Sequence, residues 1–120
     1  MTGPELQKVI EKHALMSCFR AALGKDPLHV EFVPERIVET PGAAAAFKRT
    51  DHPLEMLQAL YRHLCGDWGD LDPEDHAAND HALEHDERLF SVYTLSTGVR
   101  VWIITEFDRS LTTFLLPEEY

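Results

Sequence analysis

The chain has 120 residues, enough for one domain that folds around a single hydrophobic core without a metal or disulfide staple. No apolar run approaches the about eighteen residues a membrane span requires, and the polar start "MTGPELQKVIEK" lacks the basic-then-apolar layout of a secretory signal, so a cytoplasmic protein is expected. The net charge of −10 arises entirely from residues 65–120, where thirteen acids face three arginines; such a surface argues against direct duplex DNA binding and favours basic proteins or cations.

In chain order, the first predicted element is a helix from Pro4 to about Leu23, carried by Leu6, Val9, Ile10, Leu15, Met16, Phe19 and Leu23 and stopped by Gly24. "HVEFVPERIVET" then alternates apolar and charged residues around Pro34, which cannot donate to a strand ladder; an edge strand at Arg36–Glu39 is expected. "TPGAAAAFKR" places Thr40 as N-cap and Pro41 at the first helical position, followed by four alanines. "TDHPLEMLQALYRHLCG" repeats the device, with Asp51 or His52 before Pro53, a stripe of Leu54, Leu57, Leu60, Tyr61 and Leu64, and Gly66 as stop. "DPEDHAANDHALEHDER" starts a further helix with Asp72 as N-cap, Pro73 next, and Glu74 with Asp75 against the positive end of the helix dipole. Strands at Leu89–Leu95, Val99–Glu106 and Leu111–Leu116 follow, joined by "STG" and "DRS" as hairpin loops.

These elements predict a single α+β domain, with N-terminal helices packed on a C-terminal antiparallel sheet of three or four strands arranged as a meander. The expected core comprises Leu57, Leu60, Leu64, Leu89, Val92, Val101, Ile103, Phe114 and Leu116 or their same-face alternates, since a one-residue slip exchanges the faces of a strand. Cys18 and Cys65 lack C-x-x-C spacing and read as small buried thiols. Cys65 sits at a helix C-terminus, where the dipole disfavours a thiolate.

The segments "VETPGA", "RHLCGDWGDLD" and "RLFSVYTLSTGVRVWIITEFDRSLTTFLLPEEY" resemble a group of short bacterial proteins labelled plasmid-related. The resemblance covers about residues 36–120, with G-D-W-G-D followed by W-I-I-T-E-x-D-R-S-x-T-T as its specific part. It implies a bacterial mobile element as the setting and brings no activity with it. Residues 1–35 then read as a variable helical part and 36–120 as the family-like core of one domain, with His76, His81 and His85 outside the pattern.

Three constellations could carry chemistry. His81 and His85, four apart on one helical face, could share a metal ion with His76 or Asp80 nearby, but no third ligand is marked on another element; no metal or other cofactor is expected. Ribonuclease chemistry needs a base, an acid and a phosphate-binding cation, and Glu106, His63 and Arg109 supply those types. Arg100 shares a strand face with Glu106 but stands some 20 Å from it at about 3.3 Å per residue. Against this reading, Asp108 and Ser110 are ordinary turn residues, and Arg109 beside Glu106 and Asp108 can simply form a surface ion pair.

The third is a partner-binding surface. Asp67, Asp70, Asp72, Asp75, Asp80, Glu84, Asp86 and Glu87 lie in a stretch with no lysine or arginine, and could imitate the phosphate array that a nucleic-acid-binding protein expects. Trp68, inside this run, is either an exposed anchor for the partner or a plug folded back into the core. The function expected is a small acidic non-enzymatic interaction protein of a mobile element, possible partners being a basic protein or a nucleic-acid-binding complex, with an inhibitor of restriction or CRISPR machinery as its sharpest form. A ribonuclease or toxin acting through His63, Glu106 and Arg109 is the alternative.

Overall fold

Two of the three proline-led helix starts stand where the local chemistry places them. Thr40 Oγ1 accepts from the Ala43 amide at 3.2 Å and opens α2, Pro41–Lys48; Asp72 Oδ1 accepts from the Asp75 amide at 2.9 Å and opens α4, Pro73–Glu84. This computed structural model describes residues 12–120. Helix α1 occupies Lys12–Leu23 and ends at Gly24, whose φ of 64° accompanies the amide of Lys25 turning back to the Phe19 carbonyl at 3.0 Å. The part of the predicted helix before Lys12 lies outside the described residues. Helix α3 runs Glu55–Leu64 and starts two residues later than Pro53; neither Asp51 nor His52 caps it, because the N-cap position falls on Leu54, which has no capping side chain.

The sheet contains β1 (Arg36–Glu39), β2 (Leu89–Thr94), β3 (Arg100–Thr105) and β4 (Leu111–Leu115) in the order β1-β4-β3-β2. The last three strands form the expected antiparallel meander, with Ser91 opposite Ile103 and Ile103 opposite Phe114. The sheet as a whole is mixed, since β1 lies parallel to β4 with Ile37 opposite Thr112. Three helices and two strands separate β1 from β4 in the chain, so no short hairpin forces the antiparallel direction.

Alternation along the strands sorts the sheet into two faces. Tyr93, Val101, Ile103, Phe114 and Ile37 face the helices and form the main core with Leu15 and Phe19 of α1 and Leu57, Leu60 and Leu64 of α3. Leu89 belongs to a second cluster with Trp68 and Ala82. Val92 is buried as predicted, but three residues from Leu89 it points to the opposite face; Leu116 is only partly buried, and its neighbour Leu115 is buried on the outer face. The outer face presents Phe90, Trp102, Ile104 and Leu115, with the C-terminal residues folded toward it.

Glu119 fastens the C-terminal end. Its carboxylate accepts from Thr40 Oγ1 at 2.5 Å and from the amides of Gly42 at 3.0 Å and Leu116 at 2.8 Å. Burial opposes ionisation there, and these hydrogen bonds outweigh it, holding Glu119 below the usual carboxylate range. A Cβ on Gly42 would stand 2.6 Å from Glu119 Oε1, so only glycine lets the two approach this closely.

Candidate functional site

The acid-rich stretch begins where α3 ends. The Asp67 amide donates to the Arg62 carbonyl at 2.8 Å, and the Asp67 carboxylate forms a two-pronged pair with the Arg62 guanidinium at 2.8 and 3.2 Å. That pairing, helped by the Gly69 amide, keeps Asp67 below the usual carboxylate range. Tyr93 donates its hydroxyl to the Asp67 carbonyl, and the Arg62 guanidinium lies over the Tyr93 ring.

From Trp68 onward the loop runs beside β2 as a short parallel bridge between Gly69 and Val92. The Val92 amide donates to the Trp68 carbonyl at 3.3 Å, and the Asp70 amide donates to the Val92 carbonyl at 2.8 Å. Gly69 has a φ of 76°, and a Cβ there would lie 2.0 Å from the Val92 carbonyl oxygen, so a side chain would push the loop off the strand. Two residues along the same edge, Asn79 of α4 donates to the Phe90 carbonyl at 2.6 Å and accepts from the Phe90 amide at 3.1 Å. An amide side chain presents one donor and one acceptor toward the strand, and so stands in for a neighbouring strand residue. Loop and helix together thereby cover the outer edge of β2, a row of backbone groups that would otherwise invite another chain.

Trp68 settles as the plug: it is 0% exposed, with its indole N–H donating to Asp80 Oδ1 at 2.9 Å. The anchor reading is therefore corrected, because the hydrophobic ring lies under α4 against Ala82 and Leu89 and offers a partner no surface. The carboxylates divide accordingly. Asp67 is paired with Arg62, Asp70 accepts from Thr94 Oγ1 at 2.7 Å, Asp72 caps α4 and Asp80 holds the indole. Asp75, Glu84 and Asp86, together with Glu74, are exposed and have no side-chain partner among the described residues. Among the described residues the Glu87 carboxylate makes only an exposed 3.4 Å contact with His81.

The other proposed constellations are taken apart by the fold. His81 and His85 stack with centroids 3.9 Å apart, and His85 Nδ1 lies 2.8 Å from the His81 carbonyl oxygen, so that nitrogen donates to backbone. His76 Nε2 lies 3.1 Å from the Gly69 carbonyl oxygen. The described residues hold no group of three or more histidine, cysteine or acidic side chains placed to hold a metal ion.

His63 is sealed in the core. Its Nδ1 lies 2.5 Å from Ser91 Oγ and its Nε2 2.8 Å from Thr105 Oγ1, which in turn lies 2.7 Å from Thr112 Oγ1. Phe32 and Trp68 meet its ring edge-on. Burial, with a smaller contribution from the charge of Arg109, lowers its pKa to about 3, so the ring is neutral at pH 7. Glu106 lies on the other side of the sheet, where Arg88 Nε is 3.6 Å from its carboxylate. Arg109 donates to the carbonyls of Glu87 at 2.6 Å, Ala82 at 3.1 Å and Glu106 at 3.3 Å, and its guanidinium lies over Phe32. The guanidinium thus closes the C-terminal end of α4; the surface ion pair read for it with Glu106 and Asp108 is replaced by these backbone carbonyls. The structure does not bring His63, Glu106 and Arg109 to one point, so general acid, base and phosphate clamp do not assemble from these three.

Cys18 and Cys65 are free and half-buried, and burial pushes the Cys65 thiol up, away from a reactive thiolate. Sequence reasoning missed Asn79, Arg88 and Tyr120. A lone asparagine after two alanines of a polar helix was the only signal for the first, and nothing local marked the other two. No protein-family model, curated protein or solved structure matches the chain.

Proposed function

We propose that the protein is a non-enzymatic interaction module of a bacterial mobile element that engages a basic partner through the carboxylates left free around α4. The observation that carries this reading is the division within the acidic run. Asp67, Asp70, Asp72 and Asp80 are consumed in holding the loop and helix, whereas Glu74, Asp75, Glu84 and Asp86 face solvent with no lysine or arginine between Asp67 and Glu87 to neutralise them. A helix tied at Asn79 to the sheet edge and at Asp80 to the buried Trp68 indole presents those charges from a rigid support, which limits the entropy lost on binding. The mobile-element setting rests on the resemblance of residues 36–120 to plasmid-related proteins. An inhibitor that imitates phosphates before a restriction or CRISPR complex is the sharpest form of the reading.

The test uses substitutions that spare the structural acids. Wild-type protein and a variant combining Asp75→Asn, Glu84→Gln and Asp86→Asn are immobilised and exposed to bacterial lysate at low and high salt. Basic proteins retained by the wild type at low salt, released by salt and lost from the variant support the reading. Equal capture by both proteins refutes it. Incubation with bulk RNA tests the enzymatic reading in parallel, and cleavage surviving purification would replace the proposal.

A further inference from the structure

The outer face of the sheet holds a second feature that the acidic side does not explain. A cavity of about 280 Å³ opens between Phe90, Trp102, Ile104, Arg88 and Tyr120. That is near the lower end of the usual size of a small-ligand site, about 300 Å³. Three of its walls are apolar, and among the described residues Arg88 has the one charged side chain lining it. The Arg88 guanidinium is positioned by two neighbours: its Nη1 donates to the Tyr120 hydroxyl at 3.0 Å, and its Nε lies 3.6 Å from Glu106, too long for a strong hydrogen bond. The Tyr120 hydroxyl accepts from Arg88 and keeps its own proton to donate, and the guanidinium retains unspent N–H groups.

We propose that this cavity binds a small amphipathic carboxylate, its aromatic or branched apolar body lying against Phe90, Trp102 and Ile104 and its carboxylate held by Arg88 and the Tyr120 hydroxyl. An apolar slot with a few convergent donors is the usual form of a small-ligand site, and a planar guanidinium matches a carboxylate's two oxygens. The Glu106 carboxylate meets Arg88 at Nε, 3.6 Å away, and does not line the cavity. Glu119 lines the adjoining space of about 490 Å³, but its oxygens are engaged by Thr40, Gly42 and Leu116, while Arg36 lines the same space without a partner among the described residues. Single-stranded nucleic acid fits less well. The rings meet edge-on, Phe90 with Trp102 at 85° and Trp102 with Tyr120 at 60°, so they offer no open parallel platform for stacked bases, and a chain of net charge −10 repels a polyanion.

The experiment is an NMR titration of the full chain with 3-phenylpropionate, with 3-phenylpropionamide and an oligothymidylate as comparison probes. Trp102 borders the cavity and Trp68 is buried elsewhere, so their two indole N–H signals separate the site from a global effect. The carboxylate should shift the Trp102 indole and the Phe90 and Ile104 amides saturably, with a Kd of about 1 mM or below, leaving Trp68 unmoved. The neutral amide should bind about tenfold or more weakly, and Arg88→Gln should abolish that preference. The proposal is overturned by no saturable shift up to about 10 mM, a range that covers any useful affinity for so small a ligand. It is equally overturned by indistinguishable binding of acid and amide, by joint movement of both indoles, or by stronger binding of the oligothymidylate.

Discussion

The two edges of the sheet are protected in different ways. At β2 the backbone groups of Phe90 and Val92 are taken up by Asn79 and by the Trp68–Asp70 loop, and the cover is nailed down by a buried indole. At β1 no further strand borders the sheet among the described residues, and the strand has four residues with charged Arg36 and Glu39 at its ends. A long hydrophobic edge needs a dedicated cover, whereas a short one flanked by charge needs little. The comparison also explains the opening of the acidic run: much of what reads as a charged surface is the fastening of an edge.

The strongest way to break the β2 cover is Trp68→Ala. Loss of the ring and of its bond to Asp80 should cost about 3–5 kcal/mol in denaturant unfolding. A variant within about 0.5 kcal/mol of wild type, the usual scale for surface changes, would show that the plug is not structural. Asn79→Ala removes both bonds to Phe90 and should cost about 1–3 kcal/mol, with the Phe90 amide exchanging faster while Val92 keeps its protection from the loop. Uniform acceleration of both amides would mean that loop and helix detach together.

Acid should loosen the same region from beneath, because neutral His63 sits against Ser91 of β2 and Thr105 of β3. The unfolded imidazole takes up a proton near its ordinary 6.5, and the folded one only near about 3. In that window the unfolded state holds more protons, so this contribution is full above pH 6.5 and declines as pH falls, by up to about 1.4 kcal/mol per pH unit. Thermal unfolding between pH 7 and 4.5 checks this, and His63→Gln should flatten the slope. Asp72→Ala, which uncaps α4, should cost about 1 kcal/mol by the same unfolding measurement. At the opposite edge Arg36→Ala should change stability by less than about 0.5 kcal/mol, since the exposed side chain has no partner among the described residues. A larger loss there would reveal that β1 depends on its flanking charge.

Two helix starts and the hairpins were legible because their causes are local. Thr40 with Pro41, Asp72 with Pro73, and the glycine-bearing Ser96–Gly98 turn each act within a few residues of themselves. The parallel placement of β1 was not legible, because it depends on where a long excursion returns. Among the candidate sites, the acidic run could be read as a run, and its division into fastened and free carboxylates could not. Asp70 finds Thr94 and Asp80 finds Trp68 across intervals of 24 and 12 residues. His63 was recognisable as an acid–base residue type, but its neutrality follows from burial that only packing creates.

The sequence by itself determined the charge asymmetry, the helix starts at Thr40–Pro41 and Asp72–Pro73, and the meander of β2, β3 and β4, because each depends on composition or on neighbours along the chain. Only the tertiary structure decided that Trp68 points inward, that Asn79 completes a sheet edge, and that Arg88 and Tyr120 meet beside Trp102. Those outcomes come from burying apolar surface and satisfying backbone donors and acceptors among residues distant in the chain, and no local pattern encodes which distant group will be there.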